Sequence, residues 1–204
     1  MKTGHLFIIT AASGAGKTSL VKALLEENTN LVVSVSFTTR QPRQSEKNGE
    51  DYWFVSKEDF HDMKTNNIFL ETAECHGALY GTSKEVIANN LNNGVDVILE
   101  IDWQGAFSVK HIFPEAISIF VLPPSMEVLA QRLRKRNEDS EEVIEKRLAA
   151  ARSEMAHLEK FDYVTINDDF NTTLKELEAI IKAENLKTNI QLTRHEMIIK
   201  KLRN

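Results

Sequence analysis

The chain of 204 residues has a single cysteine, Cys75. One thiol cannot close an internal disulfide, which excludes the small domain stapled by disulfides. Cysteines and histidines do not fall at metal-ligand spacing either, so a structural zinc site is not expected. Long apolar runs are absent; the longest are far short of the ~20 residues that span a bilayer. The opening "MKTGHLFIIT" has only a brief apolar run and no small-residue cleavage site behind it, so a signal peptide is not expected. Repeats, low-complexity tracts and flexible linkers are also missing. What remains is an ordinary globular composition, 42% hydrophobic and 27% charged, at a length that suits one domain with inserted subdomains. A reducing cytoplasm is the expected setting.

The net charge of -5 is uneven. Residues 187–204 carry Lys187, Arg194, Lys200, Lys201 and Arg203 against Glu196 alone, a net +4, which leaves -9 for the rest. An acidic body argues against bulk nucleic-acid binding. An anionic ligand would need Lys and Arg placed locally. The tail also has an apolar helical stripe at Met197, Ile198, Ile199 and Leu202. It reads either as a solvated terminal helix or as a subunit contact in a homo-oligomer.

Apolar runs at 5–10, 31–36, 95–102, 116–122 and 162–166 read as strands, the first rich in Ile and Phe and buried on both faces. Between them lie amphipathic stretches. "TSLVKALLEEN" carries Leu20, Leu24 and Leu25 at helical spacing, and 140–161 carries Ile144, Leu148, Ala151, Met155 and Leu158 as one stripe. Helices are also expected behind the capping residues Ser56, Ser83 and Ser125 and over 171–184. Alternation of this kind predicts an α/β core, a parallel sheet covered on both faces. "DYWFVS" (51–56) reads as a strand of a different sheet, because the preceding segment is polar and rich in turns. Segments 37–88 and 125–155 look like insertions over the carboxyl edge of the sheet, where open α/β folds bind ligands.

The first strand runs into "AASGAGKT", residues 11–18. This is the phosphate-loop pattern G-x-x-x-x-G-K-[ST] with Ala11 in place of the first glycine. Gly14 and Gly16 let backbone N–H groups turn toward phosphate oxygens, and the following helix adds its positive end. Lys17 can reach the β- and γ-phosphates, and the Thr18 hydroxyl can ligate Mg²⁺. Ala11 is compatible with a strand end at negative φ.

Further motifs follow in order: "SVSFTTRQPRQSEKNGEDYWFVS", "LETAE", "YGTS", "LEIDWQG", "RLRKRN…EEVIEKRL" and "INDD". From about residue 5 onward the chain resembles guanylate kinases of the bacterial type. The resemblance implies a phosphate-loop nucleoside monophosphate kinase fold. Its five-stranded parallel sheet would be built from residues 1–36, 89–124 and 156–186. A GMP-binding insertion (37–88) and a lid (125–155) complete it. It implies Mg²⁺-dependent transfer of the ATP γ-phosphate to GMP, giving ADP and GDP, in purine nucleotide metabolism and GMP recycling.

It also implies residue roles. Ala11, Ala12, Ser13, Gly14, Ala15, Gly16, Lys17 and Thr18 would bind ATP, with Asn167 near the adenine. Arg40, Arg43, Tyr52 and Tyr80 would hold the GMP phosphate. Glu71 would meet the guanine N1–H and 2-amino group, with Ser36 and Thr82 beside it. Glu100 and Asp102 are assigned to the GMP side as well, and Asp102 with Thr18 to the metal shell. Lys17, Arg40, Arg136 and Arg147 would serve the transfer, with Arg132 as a further lid arginine. The chain departs from the family pattern at Ala11, Leu79, Glu100 and Asn137. Two alternatives remain: another nucleoside monophosphate kinase, or a non-catalytic interaction module of the same fold.

Overall fold

The structure, a computed structural model, describes residues 4–44, 46–75, 77–135 and 140–204. His76, Arg136 and Asn137 therefore lie outside the described residues. In chain order, β1 (Leu6–Ala11) enters α1 (Lys17–Glu27) through the glycine loop, and β2 (Leu31–Val33) follows. An arm comes next: β3 (Phe37–Thr38), β4 (Trp53–Phe54), α2 (Lys57–Thr65), β5 (Phe69–Cys75) and β6 (Ala78–Ser83). The chain returns through α3 (Lys84–Asn92), β7 (Asp96–Glu100), α4 (Trp103–Ile112) and β8 (Ile117–Leu122). Then come α5 (Met126–Lys135), α6 (Glu141–Met155), β9 (Tyr163–Ile166), α7 (Phe170–Asn185), α8 (Thr188–Arg194) and α9 (Glu196–Arg203). Among the described residues no helix is long and apolar enough to cross a membrane.

The five expected core strands form one parallel sheet of order β2-β7-β1-β8-β9. Its central strand is buried on both faces because side chains alternate along it. Phe7 and Ile9 face α1 and α7, packing with Leu20, Leu24, Leu174 and Leu177. Leu6 and Ile8 join Ile87, Val97, Leu99, Val109 and Phe120 on the other face. Each such fully buried side chain contributes about 1.5–3 kcal/mol. A third cluster joins Leu129 and Leu133 of α5 and Ile144 and Ala151 of α6 to Ala12 of the loop. Helices α5 and α6 thus pack directly on the glycine loop.

The arm has its own four-stranded sheet, order β4-β3-β6-β5, which includes the expected strand at Trp53–Phe54. A small aromatic core holds it: Phe60 is fully buried and stacks on Phe69 at 4.6 Å, with Phe37 at 5.6 Å from Phe69.

Several boundaries differ from the sequence reading. The second strand stops at Val33 rather than 36, and β7 stops at Glu100 rather than 102. Asp102 instead caps α4, accepting the Gly105 N–H at 2.8 Å. The helix read over 140–161 ends at Met155, and a 3₁₀ turn, Leu158–Lys160, follows. Ser56 and Ser125 accept hydrogen bonds from the helix starts at Asp59 N and Val128 N, whereas Ser83 precedes α3 without a side-chain cap bond. In the tail, Met197, Ile198 and Leu202 are exposed.

Candidate active site

The glycine loop follows the central strand of the sheet, between β7 and β8. Ala11 is the last residue of β1 and still pairs with Val121. It is not among the residues with positive φ, so the missing first glycine costs nothing there. Gly14 and Gly16, by contrast, have φ of 97° and 99°. The loop is tightened by Ala15 N donating to the Ala12 carbonyl at 2.9 Å. Lys17 Nζ reaches the Ile101 carbonyl oxygen at 3.5 Å, which also accepts from the Thr10 hydroxyl at 3.0 Å. That carbonyl ties the loop lysine to the end of β7.

The Thr18 hydroxyl donates to Glu100 Oε2 at 3.1 Å. Glu100 is the carboxylate that meets this hydroxyl, while Asp102 uses its Oδ1 to cap α4. Asp102 lies instead beside Glu71. A Cβ added at Gly105 would stand 3.0 Å from Glu71 Oε2 and 3.4 Å from Asp102 Oδ1.

Glu71 is on β5 and only 6% exposed. Its Oε1 accepts the Thr82 hydroxyl from β6 at 2.6 Å. Burial, opposed by that hydrogen bond and aided by the Asp102 charge, pushes its carboxyl up to about 7. Ser36 is buried and opens into the same cleft. Burial also pushes Tyr52 up to about 12, with the Glu100 charge adding to it, so its hydroxyl stays a donor at neutral pH. Cys75 rises to about 11 for the same leading reason and stays a thiol.

Arg40 lies 5.4 Å from the Tyr52 ring centroid and 5.8 Å from that of Phe54. Its two guanidinium nitrogens donate to Glu46 at 2.8 and 3.0 Å, a bidentate pair. Glu46 also accepts the Arg43 N–H at 2.8 Å and lies 3.8 Å from the Arg43 guanidinium. Burial would lower Arg40, but Glu46 and Tyr80 outweigh it and hold the guanidinium charged. Glu46 was not singled out in the sequence. The signal was available only as an acid three residues beyond an arginine, which is common on any solvated turn.

Arg147 of α6 donates to the Ser13 hydroxyl of the loop. Val143 and Lys146 line the cleft beside it, at the helical spacing that puts all three on one face. Lys146 is a cation that the sequence reading passed over. Just past α6, His157 stacks on Trp103 at 3.9 Å, next to Asp102.

One cleft of about 450 Å³ gathers most of the expected residues. Ala11, Ala12, Ser13, Gly14, Gly16, Lys17 and Thr18 line its loop side. Ser36, Arg40, Arg43, Tyr52, Glu71 and Tyr80 line its arm side, with Glu100 and Asp102 between and Arg147 above. Ala15 and Thr82 stand behind this lining, and Asn167 lies in a separate cavity with Arg132, Lys135 and Phe170. Arg136 falls outside the described residues.

A parallel sheet with a phosphate loop on its central strand, an arm with its own sheet and the helix pair α5 and α6 beside the loop is the phosphate-loop nucleoside monophosphate kinase fold. The family model for guanylate kinase matches residues 3–184. The guanylate kinase of Methylobacillus flagellatus is 54% identical over 199 residues, 98% of each chain. That of Escherichia coli strain K12 is 51% identical over 204 residues, 99% of each. A crystal structure of guanylate kinase from Anaplasma phagocytophilum is similar with a TM-score of 0.79 at 36% identity, covering 92% of this chain and 89% of its own. The chain belongs to the guanylate kinase family.

Proposed function

We propose that the chain is an ATP:GMP phosphotransferase, converting ATP and GMP into ADP and GDP. The observation that carries this is the pairing, in one cleft, of a phosphate loop with a buried carboxylate, Glu71, and an arginine pair. An ionised Glu71 accepts from both N1–H and the 2-amino group of guanine; adenine has no such donor pair. Thr82 fixes one of its oxygens, and Asp102 and Ser36 stand beside it. Arg40 and Arg43, with the Tyr52 and Tyr80 hydroxyls, suit a phosphate monoester.

The acceptor phosphate, with a second pKa of about 6, is already a dianion at neutral pH, so no general base is needed. The barrier is repulsion between two polyanions. Lys17, Arg40, Arg43 and Arg147, which line the one cleft, would answer it by supplying positive charge and by positioning acceptor and donor for in-line transfer. Arg136, by its place in the lid pattern, is assigned to the same task. We read residues 37–88 as the guanine-binding arm and 125–155 as the lid, whose cover over the cleft keeps water from competing as acceptor.

The residues fit Mg²⁺: the Thr18 hydroxyl and the carboxylates of Asp102 and Glu100 present oxygen donors to the one cleft, Glu100 already meeting Thr18. Among the described residues no group of three or more His, Cys, Asp or Glu could hold a metal by itself. That suits a cation held mainly by phosphates and water. Bound with ATP, Mg²⁺ neutralises phosphate charge. The single cysteine supports a cytoplasmic setting. The exposed stripe of α9 and the charge contrast between tail and body support a contact between subunits, which sedimentation at low and high salt reads.

The test is turnover with GMP, AMP, dTMP and CMP in competition. A preference for GMP is expected. A preference for another acceptor would overturn the base assignment, and no turnover by folded protein would favour the interaction module. Relatives at 51–54% identity over nearly the whole chain are guanylate kinases, and that module is not favoured.

A further inference from the structure

The peptide between Ala15 and Gly16 is gripped from outside the cleft. Asn167 Nδ2 donates to the Ala15 carbonyl oxygen at 2.7 Å, and Arg132 Nη1 donates to the same oxygen at 3.4 Å. The two side chains are themselves anchored. Arg132 Nη2 donates to the Asn167 carbonyl at 2.9 Å, and Asn167 N donates to the Leu122 carbonyl at 2.8 Å. Ala15 is fully buried and Asn167 nearly so, which keeps water from competing for these bonds.

In a trans peptide the carbonyl and the N–H point to opposite sides. A carbonyl drawn toward Asn167 and Arg132 turns the Gly16 N–H toward the phosphate side. Flipped over, the same peptide would present a carbonyl oxygen to an anion. Gly16 belongs to this arrangement as well: at φ 99° it needs no Cβ, and an added one would lie 2.4 Å from Asn167 Nδ2.

We propose that Asn167 and Arg132 are positioning residues that aim the Ala15–Gly16 peptide at the donor phosphates. The proposal rests on the reading above only in taking the loop as the donor site. It gives Asn167 a different task from adenine contact, and Arg132 a different one from meeting phosphate directly.

Calorimetric binding of inorganic tripolyphosphate and of ATP, without GMP, separates these roles. The variants are Asn167→Leu, which keeps the volume but donates nothing, and Arg132→Lys, which keeps the charge but loses the fork. Each is expected to weaken tripolyphosphate and ATP equally, by about tenfold, the worth of a buried hydrogen bond lost to an unsatisfied acceptor. The double variant is expected to lose less than the product of the two, because both donors share one oxygen. In turnover, KM for ATP rises and KM for GMP does not. GMP affinity in the same samples checks the fold; if Asn167→Leu loses it, Arg132→Lys carries the test alone. Weakened ATP with unchanged tripolyphosphate would overturn the proposal and make Asn167 a base contact. Unchanged binding of both would also overturn it. Tripolyphosphate binding needs neither GMP nor turnover, so its outcome is independent of the acceptor assay.

Discussion

Replacing Glu71 by Gln tests the buried carboxylate in two independent ways. In the free protein, holding this carboxyl at about 7 instead of its ordinary 4.5 means that ionising it in place costs about 3 kcal/mol. At 6% exposure the site has little solvent to screen that cost. The sign follows from proton binding: between about 4.5 and 7 the folded chain holds the proton more often than the unfolded one. Stability from this group is therefore full below about 4.5, is lost as pH rises toward 7, and stays lost above it. Gln cannot ionise, can still accept from Thr82, and turns its amide toward the Asp102 side. The stability gap between variant and parent should therefore shift in the variant's favour by about 3 kcal/mol between about pH 4 and about pH 8. For a chain of this length that is roughly 6–12 °C in Tm. Urea unfolding at the two pH values measures the shift, and constant offsets from packing cancel. A gap that does not move with pH would refute the burial argument. The same substitution puts an amide donor against guanine donors, so KM for GMP should rise by about a hundredfold or more while KM for ATP stays put.

Three further outcomes are expected. Arg40→Lys loses the bidentate fork while keeping the charge, and should raise KM for GMP about ten- to a hundredfold; an unchanged KM would move the acceptor phosphate elsewhere. Ala11→Gly should change ATP affinity by less than about twofold, since Ala11 sits in a paired strand at unstrained φ; a gain of tenfold would mean hidden strain. Phe60→Ala empties the aromatic core of the arm and should cost about 3–5 kcal/mol of stability by urea unfolding. A loss under about 1 kcal/mol would show that the arm closes over the space.

The core sheet was legible because its strands are buried on both faces and read as continuous apolar runs. β5 and β6 were not. "FLETAEC" and "ALYGTS" mix apolar residues with polar ones such as Glu71 and Tyr80, because one side faces a ligand cleft rather than a core. Helix α4 was hidden by Gly105 and by its cap, since Asp102 reads equally well as an acid at a strand end. For the site, the phosphate loop announced itself through spacing. The arginines and Glu71, which the structure brings into one cleft with the loop, were singled out only through the family's ordered motifs. Glu46 pairs within its own turn, where an acid three residues beyond an arginine is too common a pattern to mark a site, whereas the grip of Asn167 on Ala15 depends on distant segments meeting in space, which no local pattern encodes.

The pairing of Glu46 with Arg40 and Arg43 gives the arm a resident anion of its own. Its resident anion is tethered to the chain, so it competes at a high effective concentration and never diffuses away. A singly charged solute such as chloride offers neither the second charge nor the fork geometry needed to displace it. A phosphate monoester dianion offers both. Under the proposed function the acceptor phosphate would have to displace Glu46 from these arginines, so entry to the arm would depend on valence as well as shape.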